Sequence, residues 1–201
     1  QSRGLGDVYK RQGIQTFSEI INKNYLYVDK TEYIYRMTHY GKKYLFLSRP
    51  RRFGKSLLAS TLQSYFEGKK ELFKGLAIDK LEKEWKQYPV FHLSFGGQNF
   101  VEPYALDKVL EEFVAMAERI YGREELAETL GSRFKAVLGN AHKKTGMRAV
   151  VLIDEYDKPL LDVMDMDISV QNEYGKMTLE DYNCNLLKGV YSVFKEADDD
   201  L

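Results

Sequence analysis

Gly54-Lys55-Ser56 and Asp154-Glu155 are the residues of this 201-residue chain whose types and surroundings could do chemistry together. The first closes the run Tyr44-Leu45-Phe46-Leu47-Ser48-Arg49-Pro50-Arg51-Arg52-Phe53-Gly54-Lys55-Ser56, which is expected to be a buried strand, a basic loop and the opening turn of a helix. In such a loop, backbone N–H groups and the positive end of the helix point at phosphate oxygens. The lysine reaches the terminal phosphates, and the serine hydroxyl ligates Mg²⁺. The expected ligand is a nucleoside triphosphate held by Arg49, Pro50, Arg51, Arg52, Phe53, Gly54, Lys55, Ser56 and Leu57, with Ser56 on the metal. One position departs from the full pattern, which has glycine where this chain has Arg49. A plain helix start with Lys55 in solvent is the competing explanation. An apolar strand running in and an apolar helix, Leu57 to Phe66, running out weigh against it.

The second motif ends the segment Ala149-Val150-Val151-Leu152-Ile153-Asp154-Glu155. Five apolar residues predict a central parallel strand buried on both faces, and ligands of doubly wound sheets bind at the C-terminal ends of such strands. Asp154 is expected to support Mg²⁺, and Glu155 to act as the catalytic base that orients and activates a water. A strand ending in a solvated acidic turn is the bland alternative, and the upstream loop counts against it. Together the two motifs are a Walker A and Walker B pair.

The elements that must position these residues follow from periodicity and turn signals. Helices are expected over Thr16 to Asn22, Lys30 to Tyr40, Ser56 to Glu67, Tyr104 to Tyr121, Glu124 to Asn140 and Leu179 to Lys195. Strands are expected over Lys43 to Ser48, Pro89 to Phe95 and Ala149 to Asp154. The charged connection holding Asp79, Glu82 and Trp85 is expected to be a surface excursion, and the Asp- and Met-rich stretch after Pro159 a loop. Alternation of strands and helices predicts an α/β fold, a mainly parallel sheet with helices on both faces. Residues 1 to 12, with Asp7-Val8-Tyr9-Lys10-Arg11-Gln12, have the character of a non-native leader, which leaves 13 to 201 as the domain.

Composition narrows the class. Thirty basic and thirty acidic residues cancel, so no overall field draws the chain to nucleic acid or an anionic membrane. The local patch of Arg49, Arg51 and Arg52, with Lys42 and Lys43 near it, is accounted for by the phosphates of a nucleotide. The single cysteine, Cys184, excludes an internal disulfide, and His39, His92 and His142 lie far apart without cysteine partners, which gives no support to a zinc site. No stretch approaches a membrane span and no apolar signal core stands at the N-terminus, so a cytoplasmic protein is expected.

The chain resembles the AAA-ATPase-like proteins of bacteria and archaea, which usually carry a C-terminal nuclease-like domain of the PD-(D/E)xK type. The resemblance rests on Gly13-Ile14-Gln15 with Phe17, on Asn24-Tyr25-Leu26-Tyr27-Val28-Asp29-Lys30-Thr31 and on Leu47-Ser48-Arg49-Pro50-Arg51-Arg52-Phe53-Gly54-Lys55-Ser56. It continues through Leu152-Ile153-Asp154-Glu155-Tyr156-Asp157-Lys158-Pro159 and Tyr191-Ser192 to Ala197-Asp198. Arg49 in place of glycine is that family's habit. The resemblance implies a P-loop NTPase of the additional-strand (ASCE) class using ATP and Mg²⁺. It also implies that a chain stopping at Leu201 lacks the inserted middle strand, its sensor residue and the nuclease-like domain, and so is poorly soluble by itself. Asp29, Lys30, Tyr156, Asp157 and Lys158 belong to these blocks without a chemistry that needs them.

Three function classes follow. An ATP-hydrolysing motor or switch is favoured by Glu155 and by the intactness of both motifs. A non-hydrolysing nucleotide-binding regulator and a small-molecule kinase share the loop. A GTPase is disfavoured, because the guanine-reading Asn-Lys-x-Asp motif does not follow the loop; Asn22-Lys23-Asn24-Tyr25 precedes it and lacks the Asp. A DNA or protein partner is implied only through the C-terminal region of the family, and no membrane partner is expected.

Overall fold

The structure, a computed structural model, describes residues 14–50, 53–172 and 175–201. It divides into two compact units, one ending at Gln87 and one spanning Tyr88–Leu201.

In the first unit, helices α1 (Phe17–Asn22), α2 (Thr31–Tyr40), α3 (Lys55–Phe66) and α4 (Ala77–Leu81) and a 3₁₀ turn (Lys70–Phe73) enclose an aromatic core. Phe17 and Phe73 are fully buried with ring centroids 4.8 Å apart. Tyr27 and Trp85 stand 5.2 Å from Phe17 and Phe73 respectively. Short helices cannot hold themselves, because the first N–H groups of each have no partner within the helix. Here tertiary bonds supply them. The Phe17 N–H at the start of α1 donates to Ser60 Oγ on α3 at 2.9 Å. Asp29 accepts from the Thr31 N–H and hydroxyl through one oxygen and from the Ala77 N–H through the other, so a single carboxylate ties the starts of α2 and α4. Burial works to raise the Asp29 pKa, but these bonds outweigh it and hold the carboxyl below its usual range. The alternating segment Tyr25 to Asp29 thus turns Tyr27 into the core and uses Asp29 as a brace.

Two expectations fail in this unit. The connection holding Asp79, Glu82 and Trp85 is no surface excursion: it contributes Leu72, Phe73 and Ile78 to the core, and Glu82 is 7% exposed. Its charges misled because Lys70, Glu71, Lys74 and Lys80 stay exposed beside the inward Leu72, Phe73 and Ile78, while Glu82 is taken in by the Tyr65 hydroxyl. Residues 45–50 carry no regular secondary structure, and Leu45 and Phe46 are 56% and 71% exposed, where a buried strand was expected. A strand forms only when a neighbour takes up its N–H and C=O groups. Among the described residues, 43–48 belongs to neither sheet.

The second unit is built on two parallel strands, β1 (Val90–Ser94) and β2 (Val150–Asp154), in register from Val90 opposite Val150 to Ser94 opposite Asp154. Helices α5 (Ala105–Tyr121) and α6 (Leu130–Thr145) link them. Phe91 and Leu93 on one face of β1 join Leu106, Leu110 and Val114 of α5 and Phe134, Val137 and Leu138 of α6 in the main core. Parallel pairing through a helical crossover is the α/β arrangement expected. Val150 to Ile153 are only half-buried, however, so β2 is not covered on both faces within its unit. Helix α6 begins six residues later than periodicity suggests. Thr129 and Ser132 form a reciprocal capping box that stops the helix from reaching back to Glu124, and Gly146 in the left-handed region ends it. Arg133, 6% exposed, donates two bonds to Glu118 and one to Glu111, pinning α6 to α5.

After the short helix α7 (Lys158–Leu161), the expected loop contains an antiparallel hairpin, β3 (Ser169–Asn172) and β4 (Gly175–Thr178), with Val170 opposite Met177. Val170 packs with Val163 and Leu179 in a small separate core. Thr178 then caps α8 (Leu179–Glu196), its hydroxyl accepting from the Asp181 N–H. Leu187, Val190 and Val193 of α8 return to the main core.

Candidate functional site

The two predicted motifs lie in different units. In the first, Gly54 has φ +74° and ψ 24°, a left-handed conformation that glycine adopts without strain, and it stands at the N-cap of the 12-residue helix α3. With no side chain it caps nothing, and the first turn of α3 contains no acidic residue. The end of the helix therefore keeps its positive potential, which suits an anion, with Lys55 and Ser56 as the first two helical residues. Arg49 and Pro50 are exposed, as is Phe53 at 63%, and Lys55 and Ser56 are half-buried. Leu57 turns its side chain into the core of the unit, which leaves only its backbone to meet a ligand. Arg51 and Arg52 lie outside the described residues.

In the second unit, Asp154 is the last residue of β2 and is 8% exposed. Its carbonyl accepts from the Phe95 N–H at 3.2 Å, and its side-chain Oδ1 accepts from the Glu155 N–H at 3.0 Å. Glu155 has φ +52°, unusual for a residue with a side chain and costing about 1 kcal/mol or more; such strain gathers at functional sites. The turn that follows is fixed from several sides. The Glu155 carbonyl accepts from the Lys158 N–H, and the Pro159 carbonyl accepts from the amide of Asn183, which is 1% exposed on α8. Lys158 Nζ pairs with Asp162 and lies 5.8 Å from the centre of the Phe100 ring, which commits this cation to the packing of the turn. Burial, with Tyr156 and Asp157 nearby, pushes the Tyr191 phenol up to about 12. Tyr156, Asp157 and Lys158 therefore extend the motif as a braced turn.

Two features of this region escaped the sequence. Gly96, which directly follows the strand expected over Pro89 to Phe95, faces the Glu155 carboxylate, and Asn183 holds Pro159 from a helix some twenty residues downstream. The glycine pair after β1 was a visible signal for the first. Nothing in the local pattern marked the second.

The Ser56 hydroxyl in the first unit and the Asp154 carboxylate in the second each offer oxygen, the donor type that hard cations take. Among the described residues no group of three or more His, Cys, Asp or Glu side chains forms a metal site. No helix among the described residues is long and apolar enough to cross a membrane.

An α/β unit with an acidic pair at the end of a parallel strand, and a glycine-led helix N-terminus in the unit before it, are features of nucleotide-binding proteins. The chain belongs to the family described as Predicted AAA-ATPase, whose family model matches residues 11–201. It is 37% identical over 188 residues to an uncharacterized protein in the vnfD 5′ region of Azotobacter chroococcum mcd 1. The match covers 92% of this chain and 34% of that relative, so the chain spans about a third of the relative's length. No solved structure matches it.

Proposed function

We propose that this chain is the nucleotide-binding part of an ATPase, which binds ATP with Mg²⁺ and hydrolyses it to change its contacts with a partner. The observation that carries the reading is the start of α3: Gly54 left-handed, no side-chain cap, no acid in the first turn, and Lys55-Ser56 as its first residues. Membership of the predicted AAA-ATPase family supports it at the level of the class.

The roles follow from the chemistry of each group. The N–H groups from Gly54 to Leu57 bind phosphate oxygens, Lys55 contacts the β- and γ-phosphates, and Arg49, Arg51 and Arg52 balance charge near the terminal phosphate. Pro50 and Phe53 shape the loop. Ser56 and Asp154 would hold Mg²⁺, which when bound neutralises charge on the phosphates. Glu155 accepts the proton of the attacking water, and the turn from Asp154 to Lys158 orients its carboxylate for that task.

The test is Mg²⁺-dependent ATP binding and turnover by the full-length protein, with Lys55→Ala and Glu155→Gln beside it. Both variants are expected to lose turnover, and only Glu155→Gln to keep binding. Tight binding without turnover in the unaltered protein would make it a nucleotide-gated regulator, and no binding would overturn the reading of the loop.

A further inference from the structure

Gly96 follows β1 by two residues, and Ser94, the end of that strand, is the register partner of Asp154. A Cβ at position 96 would stand 3.3 Å from Glu155 Oε1 and 3.4 Å from its carboxyl carbon, closer than side chains ordinarily pack, and 3.3 Å from Ser94 Oγ. The Gly96 N–H donates to that same Ser94 hydroxyl at 3.3 Å. Neighbouring Gly97 differs in both respects: its φ is +74° and nothing lies within 4 Å of where its Cβ would be. Backbone conformation accounts for glycine at 97. At 96 φ lies outside the left-handed range, and what a side chain would meet there is the Glu155 carboxylate together with the Ser94 hydroxyl.

The direction of Glu155 is already constrained from its own side. Its N–H is held by Asp154 Oδ1, its carbonyl by the Lys158 N–H, and its φ is +52°. That backbone sets where the Glu155 side chain leaves the turn, and its carboxylate lies against Gly96. We propose that Gly96 is a positioning residue: its missing side chain is the seat that sets where the Glu155 carboxylate stands. The inference rests on the reading of Glu155 as the base in ATP hydrolysis, and it adds the loop after β1 to the parts that control that base.

The test uses the full-length protein carrying Gly96→Ala or Gly96→Val, with Gly97→Ala as control, each in the native, Glu155→Gln and Glu155→Ala backgrounds. Displacing a catalytic group by about 1 Å costs roughly 100-fold in rate. Gly96→Ala, which asks for a few tenths of an ångström, is therefore expected to lower kcat by about three- to tenfold, and Gly96→Val by about 100-fold. KM and ATP affinity should stay within about twofold, and residual turnover in Glu155→Gln should not fall further. Melting supplies a readout independent of turnover. Gly96→Ala is expected to raise Tm by at least about 2 °C more in the Glu155→Ala background, where the space is vacant, than in the native one, while Gly97→Ala shifts both alike. Unchanged kcat in Gly96→Ala beside an inactive Glu155→Gln would overturn the inference and leave the hydrolysis reading standing. If the native protein turns over no faster than Glu155→Gln, the hydrolysis reading fails and the melting comparison decides. A background-dependent shift then supports the seat, and equal shifts overturn it.

Discussion

Replacing Gly54 by alanine isolates what the loop conformation contributes to nucleotide binding. The residue sits at φ +74° and ψ 24°, and among the described residues a Cβ there would meet nothing within 4 Å. The cost of alanine is thus backbone strain alone, about 1–2 kcal/mol for a side-chain-bearing residue in the left-handed region. That energy lowers the population of the binding conformation by roughly 5- to 30-fold. Apparent affinity falls by the same factor, because only the competent fraction binds. Asparagine visits the left-handed region more readily, so Gly54→Asn should lose about half as much free energy, roughly 2- to 5-fold in affinity. Gly75 is the control, since it has φ +82°, equally open surroundings and a place outside the loop. Gly75→Ala should lower stability by a similar amount and leave affinity alone. Equilibrium titration of the full-length variants with a fluorescent ATP analogue and Mg²⁺ reads all three. Binding by Gly54→Ala as tight as the unaltered protein's, or an equal loss in Gly75→Ala, would refute the argument that the left-handed glycine prepares this site.

The pairing of Arg133 and Glu118 is a second target. Each side chain is 7% exposed, and the Arg133 bonds hold the Glu118 carboxyl below its usual pKa against the opposing effect of burial. Arg133→Met strands a buried charge and is expected to cost about 3–5 kcal/mol, or roughly 6–20 °C in Tm, most of it recovered by adding Glu118→Met; strictly additive losses in thermal melts would refute the coupling. Glu82 offers a pH test. Burial raises its pKa, but the Tyr65 hydroxyl, the Glu84 N–H and His39 pull it down further, so the net shift is downward. A depressed carboxyl stabilises the fold above its unfolded pKa, and that contribution disappears as pH falls through the folded value. The unaltered protein should therefore lose stability between about pH 5 and pH 3 more steeply than Glu82→Gln, the two converging at the acid end. The single tryptophan, Trp85, packed 5.7 Å from Tyr65, reports unfolding of this unit by fluorescence; parallel pH profiles would contradict the assignment.

Local chemistry was legible in the chain. Helix α3 starts after Gly54, β2 ends at Asp154, and the strand Pro89 to Phe95 appears as β1, because each is announced within a few residues by a turn glycine, an apolar run or a carboxylate. Family membership was legible for the same reason, since the blocks that carry it are contiguous. The hairpin from Ser169 to Thr178 was not, because its strands are four residues each and only Val170 and Met177 mark their inward face. Residues 43–48 show the converse: their apolar pattern is that of a strand, yet among the described residues they join neither sheet, because sheet pairing is decided by the tertiary fold and not by the pattern.

The chemical types in the two candidate motifs, Lys55-Ser56 and Asp154-Glu155, are properties of the sequence. Their setting is tertiary. The contact of Gly96 with Glu155 joins residues 59 positions apart, Asn183 reaches back 24 residues to Pro159, and Asp29 reaches 48 residues forward to Ala77. Periodicity reports on what a residue's near neighbours in the chain require. The orientation of a carboxylate depends on which distant backbone closes over it, and that exists only once the strands have paired.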